Sequence, residues 1–144
     1  MAAKVAGGEA RLHCDGASRG NPGPAGIGMV LTTPEGEEVL AWGAAIGRAT
    51  SNVAEYRAAI EGLKKALELK VRRVRLLSDS ELLVRQLEGA YKVKSAGLKP
   101  LHGELMGLLA RLDSWEARHV ARDRNLRADA LATRYAKAAK AGHQ

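Results

Sequence analysis

Short apolar stretches of strand length come first in this chain and long helical patterns only later, an order that few architectures accommodate. Residues 11–15 alternate, with Leu12 and Cys14 on one face and Arg11, His13 and Asp15 on the other, as a half-buried strand does. Two further apolar stretches, 26–32 and 39–46, are separated by Thr33-Pro34-Glu35-Gly36, whose Pro and Gly suit a β-turn. That spacing predicts three antiparallel strands. Between the first two lies Gly16-Ala17-Ser18-Arg19-Gly20-Asn21-Pro22-Gly23-Pro24, dense in residues that supply unusual backbone angles, which predicts a tight loop.

After residue 50 the period lengthens. Ser51 or Asn52 can cap a helix running to about residue 69, with Glu55 in capping-box range. Residues 74–78 read as a short buried strand, 80–87 as a helix closed by Gly89, and 101–112 as another helix. Residues 115–120 read as the fifth strand and 126–139 as an Ala-rich helix. Strands followed by mixed strand and helix predict an α/β sheet with helices on its faces. At 144 residues, one domain over 10–140 is expected, with loose ends at 1–9 and 141–144.

Four carboxylates break this pattern. In the helix after residue 50, Val53, Tyr56, Ala59, Ile60, Gly62, Leu63, Ala66 and Leu67 form one apolar arc, and Glu55 falls inside it. A carboxylate aimed at a packed face is costly unless a metal or a basic partner compensates it; a capping-box Glu satisfied by backbone N–H is the alternative. Asp129 lies at the edge of the apolar side made by Ala128, Leu131, Ala132, Tyr135, Ala136 and Ala139, where a first-turn Asp favoured by the helix dipole is the alternative. Asp79 ends a strand, where open α/β sheets place ligands, or else caps the following helix. Asp15 ends the first strand beside the Gly-rich segment, or else is a turn Asp. Four converging carboxylates repel one another strongly without cations. Oxygen-rich sites suit Mg²⁺ or Mn²⁺, and a pair of such ions is a known arrangement for phosphodiester hydrolysis. The acids by themselves suggest a nuclease.

Charge agrees in sign: 23 Lys and Arg against 16 Asp and Glu give +7, which attracts a polyanion without specifying it. The single cysteine, Cys14, excludes an internal disulfide and a cysteine-built zinc site, and it suits a reducing, cytoplasmic compartment. No apolar run approaches membrane-spanning length, so no membrane partner is expected. Gly26-Ile27-Gly28 runs into a strand rather than a helix, against a dinucleotide or P-loop reading, and the Gly-rich segment is expected to shape a groove.

Asp15-Gly16-Ala17-Ser18-Arg19-Gly20-Asn21-Pro22-Gly23-Pro24-Ala25-Gly26 resembles the first motif of the ribonuclease H type I family. Thr50-Ser51-Asn52-Val53-Ala54-Glu55-Tyr56 resembles the second, Ser78-Asp79-Ser80 the third, and Asn125-Leu126-Arg127-Ala128-Asp129-Ala130-Leu131-Ala132 the fourth, in matching order and spacing. The resemblance implies a five-stranded mixed sheet flanked by helices and an endonuclease that cuts the RNA strand of RNA/DNA hybrids. It also implies that Asp15, Glu55, Asp79 and Asp129 are the catalytic carboxylates, holding two Mg²⁺ or Mn²⁺ ions while water attacks in line and leaves 5′-phosphate and 3′-hydroxyl ends. Ser18, Asn21, Thr50, Ser51 and Asn52 fall where the family contacts the hybrid's backbone and minor groove. A monomer without an obligate protein partner is expected.

Three departures from the family pattern stand out. Many members carry a mobile His in a loop before the last helix, and Val120-Ala121-Arg122-Asp123-Arg124-Asn125 is too short to hold that loop. His119 therefore reads as a structural strand residue, and Arg122, as in shorter members, as the group assisting departure of the product. The basic helical protrusion of long-form members is reduced to Tyr91-Lys92-Val93-Lys94-Ser95-Ala96-Gly97-Leu98-Lys99-Pro100, and Glu81 stands near a position where many members have Gln. Two other functions share these features. One is a same-fold DNA nuclease or resolvase, which the loop motifs disfavour; the other is a non-catalytic nucleic-acid binder, which gains nothing from negative charge concentrated in its groove.

Overall fold

The structure, a computed structural model, describes residues 8–141. Strands β1 (Glu9–Ser18), β2 (Gly23–Thr32) and β3 (Glu38–Ala49) form an antiparallel meander. Strand β4 (Arg73–Ser78) joins β1 in parallel and β5 (Ser114–His119) joins β4 in parallel, giving the sheet order β3-β2-β1-β4-β5. Parallel neighbours need long crossovers. Helix α1 (Ser51–Glu68) carries the chain from β3 to β4, and α2 (Glu81–Glu88) with α3 (Lys99–Leu109) carries it from β4 to β5. A 3₁₀ turn (Arg122–Arg124) leads into α4 (Leu126–Ala141). The mixed five-stranded sheet is the fold expected from the sequence.

One face of the sheet carries the core. Leu12 and Cys14 of β1 pair with Leu31 and Met29 of β2, all four buried, and α1 lies over them. Gly62 of α1 makes that approach close, since a Cβ there would sit 2.9 Å from Leu12 Cδ1. Full burial of Leu12, Ile27, Met29, Leu31, Leu63 and Leu76 stabilises by about 1.5–3 kcal/mol each. A one-residue slip of β1 would turn Leu12 and Cys14 to the other face, so this burial also fixes the register. Buried Tyr56 donates its hydroxyl to Gln86 Oε1 at 2.5 Å and ties α1 to α2.

Helix α4 covers the opposite face. A Cβ on Gly26 would meet Ala132 O at 2.4 Å, and one on Gly28 would meet Ala128 O at 2.5 Å, so these glycines let the helix backbone rest on β2. Gly26 and Gly28 thus seat a helix.

Several boundaries differ from the sequence expectations. Residues 16–18 and 23–24 belong to the β1–β2 hairpin, and only 19–22 turn, because β2 supplies ladder partners to Gly16, Ala17 and Ser18. Thr50, not Ser51 or Asn52, caps α1, its hydroxyl accepting from Val53 N. Ser80 is the cap of α2 and not its first residue, and Gly89 closes that helix at a φ of 82°. Helix α3 starts two residues early because Pro100 is favoured in a first turn. Of the ends expected to be loose, Glu9 begins β1 and Ala141 ends α4, while residues 1–7 and 142–144 lie outside the described residues.

Candidate active site

Parallel pairing of β1 and β4 brings two acids together. His13 and Leu77 are register partners, Asp15 lies two residues beyond the first and Asp79 two beyond the second, so both carboxylates leave the sheet side by side. Glu55 reaches them from the second turn of α1. Gly16 permits this, for a Cβ there would fall 2.3 Å from the carbonyl carbon of Ala54, and its N–H donates to Glu55 Oε1 at 2.7 Å. Carboxylate oxygens of Asp15, Glu55 and Asp79 lie within 4.8 Å of one another. The capping-box alternative for Glu55 fails on this geometry, and Ser80 fills the cap offered to Asp79. Asp15 sits inside the β1 ladder, not in a turn.

Asp129, in the first turn of α4, faces Asp15 but stands outside that three-residue set. What aims it was not read from the sequence. Asn125 is 2% exposed and donates Nδ2 to Cys14 O at 2.9 Å, pinning the start of α4 to the residue before Asp15. Its Oδ1 is buried without a partner among the described residues. Gly16 and Asn125 are positioning residues whose sequence signal is only their place inside the motifs.

Burial pushes Asp15 up to about 10, reinforced by the charge of Glu55, by hydrogen bonding with Asp129 and by the charges of Asp79 and Asp129. Burial likewise raises Glu55 to about 8 against the lowering effect of the Gly16 N–H. The Arg122 guanidinium, 3.6 Å from Asp79 Oδ2, also favours the charged form of Glu55. Arg122 pairs with Asp79 and not with its neighbour Asp123, and its side chain is 75% exposed. An ion pair so exposed adds little to stability, which leaves the cation available to a ligand at the cluster.

An oxygen-only donor set in which burial and the charge of Asp79 raise both Asp15 and Glu55, with one exposed cation nearby, fits a hard divalent cation. Asp15, Glu55 and Asp79 would hold it, with Asp129 alongside. Such an arrangement can bind a metal and bring an anionic substrate to it.

The five residues expected to touch substrate also converge. Asn21 Oδ1 accepts from Ser51 N at 3.0 Å, and Ser18 Oγ donates to Ala49 O at 2.7 Å and also contacts Gly20 O, so the β1–β2 turn is fastened to the start of α1. Thr50 and Ser51 are half-buried there and Asn52 is exposed. His119 ends β5 opposite Ser78 and is exposed, so it supports no part of the core. Residues 89–98 form no regular element in place of a protrusion, although Gln86 Nε2 donates to Lys92 O at 3.4 Å. Exposed Glu81 accepts from Tyr91 OH at 3.4 Å.

Residues 13–135 match a family described as reverse transcriptase-like. The solved N-terminal RNase H domain of a Mycobacterium tuberculosis protein superposes with a TM-score of 0.92 at 39% identity, covering 94% of this chain and 99% of that one. The chain belongs to the ribonuclease H type I family. Within that family, ribonuclease HI of Halobacterium salinarum is 44% identical over 126 residues, 88% of this chain and 63% of the relative. LC11-RNase H1 from compost, solved in complex with an RNA/DNA hybrid, superposes with a TM-score of 0.85 at 38% identity, covering 90% of this chain and 98% of that one. The chain spans 63% of the length of the halobacterial relative and 34% of a mycobacterial bifunctional protein. This ribonuclease H domain is of the short form, without the basic protrusion.

Proposed function

We propose that this chain is an endonuclease that hydrolyses the RNA strand of RNA/DNA hybrids, using Mg²⁺ or Mn²⁺ and leaving 5′-phosphate and 3′-hydroxyl ends. The observation that carries the reading is the meeting of Asp15, Glu55 and Asp79 within 4.8 Å at the strand ends of a ribonuclease H fold. When bound, a pair of divalent ions supplies Lewis-acid activation of water and stabilisation of the leaving oxygen. The chain's own residues supply the rest. The carboxylates would hold the ions, Asp129 completes the acidic wall beside Asp15, and the Gly16 N–H engages one oxygen of Glu55. Arg122 offers positive charge at the cluster's open side, where a departing phosphate passes.

Ser18, Asn21, Thr50, Ser51 and Asn52 form the ledge along which the hybrid's minor groove lies. Thr50 Oγ and Asn21 Oδ1 are already engaged by backbone N–H groups. Recognition on this ledge therefore falls to Asn21 Nδ2, Ser51 Oγ and the Asn52 amide, groups suited to 2′-hydroxyls. Action in the cytoplasm without an obligate protein partner belongs to the same reading, and the free, buried Cys14 supports the reducing compartment.

Incubation with labelled RNA/DNA hybrid, duplex RNA and duplex DNA, each with Mg²⁺, Mn²⁺ or EDTA, tests the proposal. Cleavage of the hybrid alone, abolished by EDTA, is expected. Metal-independent cutting, or cutting confined to duplex DNA, contradicts it.

A further inference from the structure

The two edges of the sheet are built differently. Strand β5 is six residues long and carries Glu116 and Arg118, charges that discourage pairing with another chain. Strand β3 is twelve residues long, none of them buried, and has no charged residue between Glu38 and Arg48. Among the described residues no strand pairs with its outer side. An apolar, uncharged edge of this length is a template for a further strand.

We propose that the strand it accepts is β3 of a second copy of this chain, paired antiparallel with Gly43 on the twofold axis. The pattern of β3 is self-complementary in that register. Glu38, which Arg127 of α4 already holds through both oxygens at 2.8 and 3.2 Å, comes opposite Arg48 of the second copy, while Leu40 faces Ile46, Ala41 faces Ala45 and Trp42 faces Ala44. Leu40, Trp42, Ala44 and Ile46 all pack toward the core cluster within one chain, with Lys65 Nζ 3.9 Å over the Trp42 ring, so pairing two copies makes an apolar row along one face of the joined sheet, capped at each Trp42 by a lysine. The other face brings together the small residues Ala41, Gly43 and Ala45, with the Tyr135 ring of α4 lying over Gly43. Shifting the register by two residues in either direction separates Glu38 from Arg48 and sets Trp42 out of line with Ala44.

Two irregularities in the β2–β3 ladder, near its ends, leave residues 40–45 as the straight stretch and put the Glu38–Arg48 contact within reach of long side chains only. Bulges of this kind weaken edge pairing. The interface is also smaller than the roughly 1,600 Å² of a standard stable complex. The dimer is consequently weak and dependent on concentration. This inference goes beyond the proposed activity and stands or falls independently of it.

Sedimentation equilibrium of the native chain from about 10 µM to 1 mM, the range of weak association, is expected to show mass rising toward a dimer. Ala45 is exposed, so Ala45→Lys leaves the fold intact while placing charge beside the axis, and it should raise the dimer Kd at least tenfold with an unchanged melting temperature. Register is read by cysteine pairs: Ala41→Cys and Ala45→Cys chains of different mass should cross-link when mixed under oxidation and far less when each is alone, with buried Cys14 not competing. A native chain monomeric throughout, an Ala45→Lys chain that dimerises as well as the native one, or Ala41→Cys cross-linking as readily alone as in the mixture would each overturn the proposal.

Discussion

The backbone N–H of Gly16 donates to Glu55 Oε1 at 2.7 Å, in a place where no side chain fits between β1 and α1. A Cβ at residue 16 would press on the Ala54 carbonyl at 2.3–2.5 Å and drive the start of α1 away from the strand. Gly16→Ala is expected to cost about 1–3 kcal/mol of stability and to lower kcat by about 10²-fold, since a displacement near 1 Å misplaces Glu55. Thermal melts and steady-state kinetics check it, and full activity in Gly16→Ala would mean that the contact does not position Glu55.

Stability without metal should fall as pH rises. Asp15 and Glu55 are raised in the folded state from ordinary values of 3.8 and 4.5 to about 10 and about 8. The unfolded chain therefore releases these protons first, and the stability they contribute below about pH 4 is lost as pH climbs through 8 and 10. At pH 8 in EDTA, Asp15→Asn should be more stable than the native chain by about 1–3 kcal/mol, or ~3–10 °C in Tm. Added Mg²⁺ or Mn²⁺ should stabilise the native chain and leave the variant nearly unmoved. Equal melting temperatures in EDTA at pH 5 and pH 8 would contradict the raising of these acids by burial and neighbouring charge.

The acids were legible together and not singly, because each had a local alternative as a cap, a first-turn or a turn residue, and only the four of them pointed to a shared site. Glu55 inside an apolar arc and Asp79 at a strand end are visible at the level of period and position. The groups that aim them were not. Gly16 and Gly23 look like loop residues until β2 is known to pair with β1, and Gly26 and Gly28 serve contacts with residues 128–136, more than a hundred positions away. Asn125 acts on Cys14 across a separation of 111 residues, which no local pattern reports. Helix caps also escaped, because Thr50, Ser51 and Asn52 are all good N-caps and only the backbone decides among them. The open edge of β3 could not be read without the sheet order.

Arg122 lies 3.6 Å from Asp79 yet is largely exposed, so its removal should act on rate and not on folding. Arg122→Ala should lower kcat by roughly 10²-fold with little change in KM, as expected for a group that stabilises charge late in the reaction. His119→Ala, at an exposed strand end, should be mild. A raised KM with unchanged kcat would make Arg122 a binding residue only, and a large loss in His119→Ala would move the assisting role to His119.

Asn125 separates placement from charge. Asn125→Ala removes the hydrogen bond to Cys14 O and should cost about 1–2 kcal/mol, with a fall in kcat as Asp129 loosens. Asn125→Asp keeps the size but sets a buried carboxylate against a carbonyl oxygen and adds charge beside four acids, so it should be the more damaging in both Tm and rate. An aspartate variant healthier than the alanine variant would refute the positioning role.

The central claim is tested most directly by following both strands of an end-labelled RNA/DNA hybrid with the native chain and with Asp79→Asn, each confirmed as folded. With divalent metal, the native chain should cut the RNA strand to 5′-phosphate ends and leave the DNA strand whole, while Asp79→Asn should lose nearly all activity. Near-native cutting by a folded Asp79→Asn chain, or comparable cleavage of the DNA strand by the native one, would contradict the carboxylate-centred ribonuclease H reading.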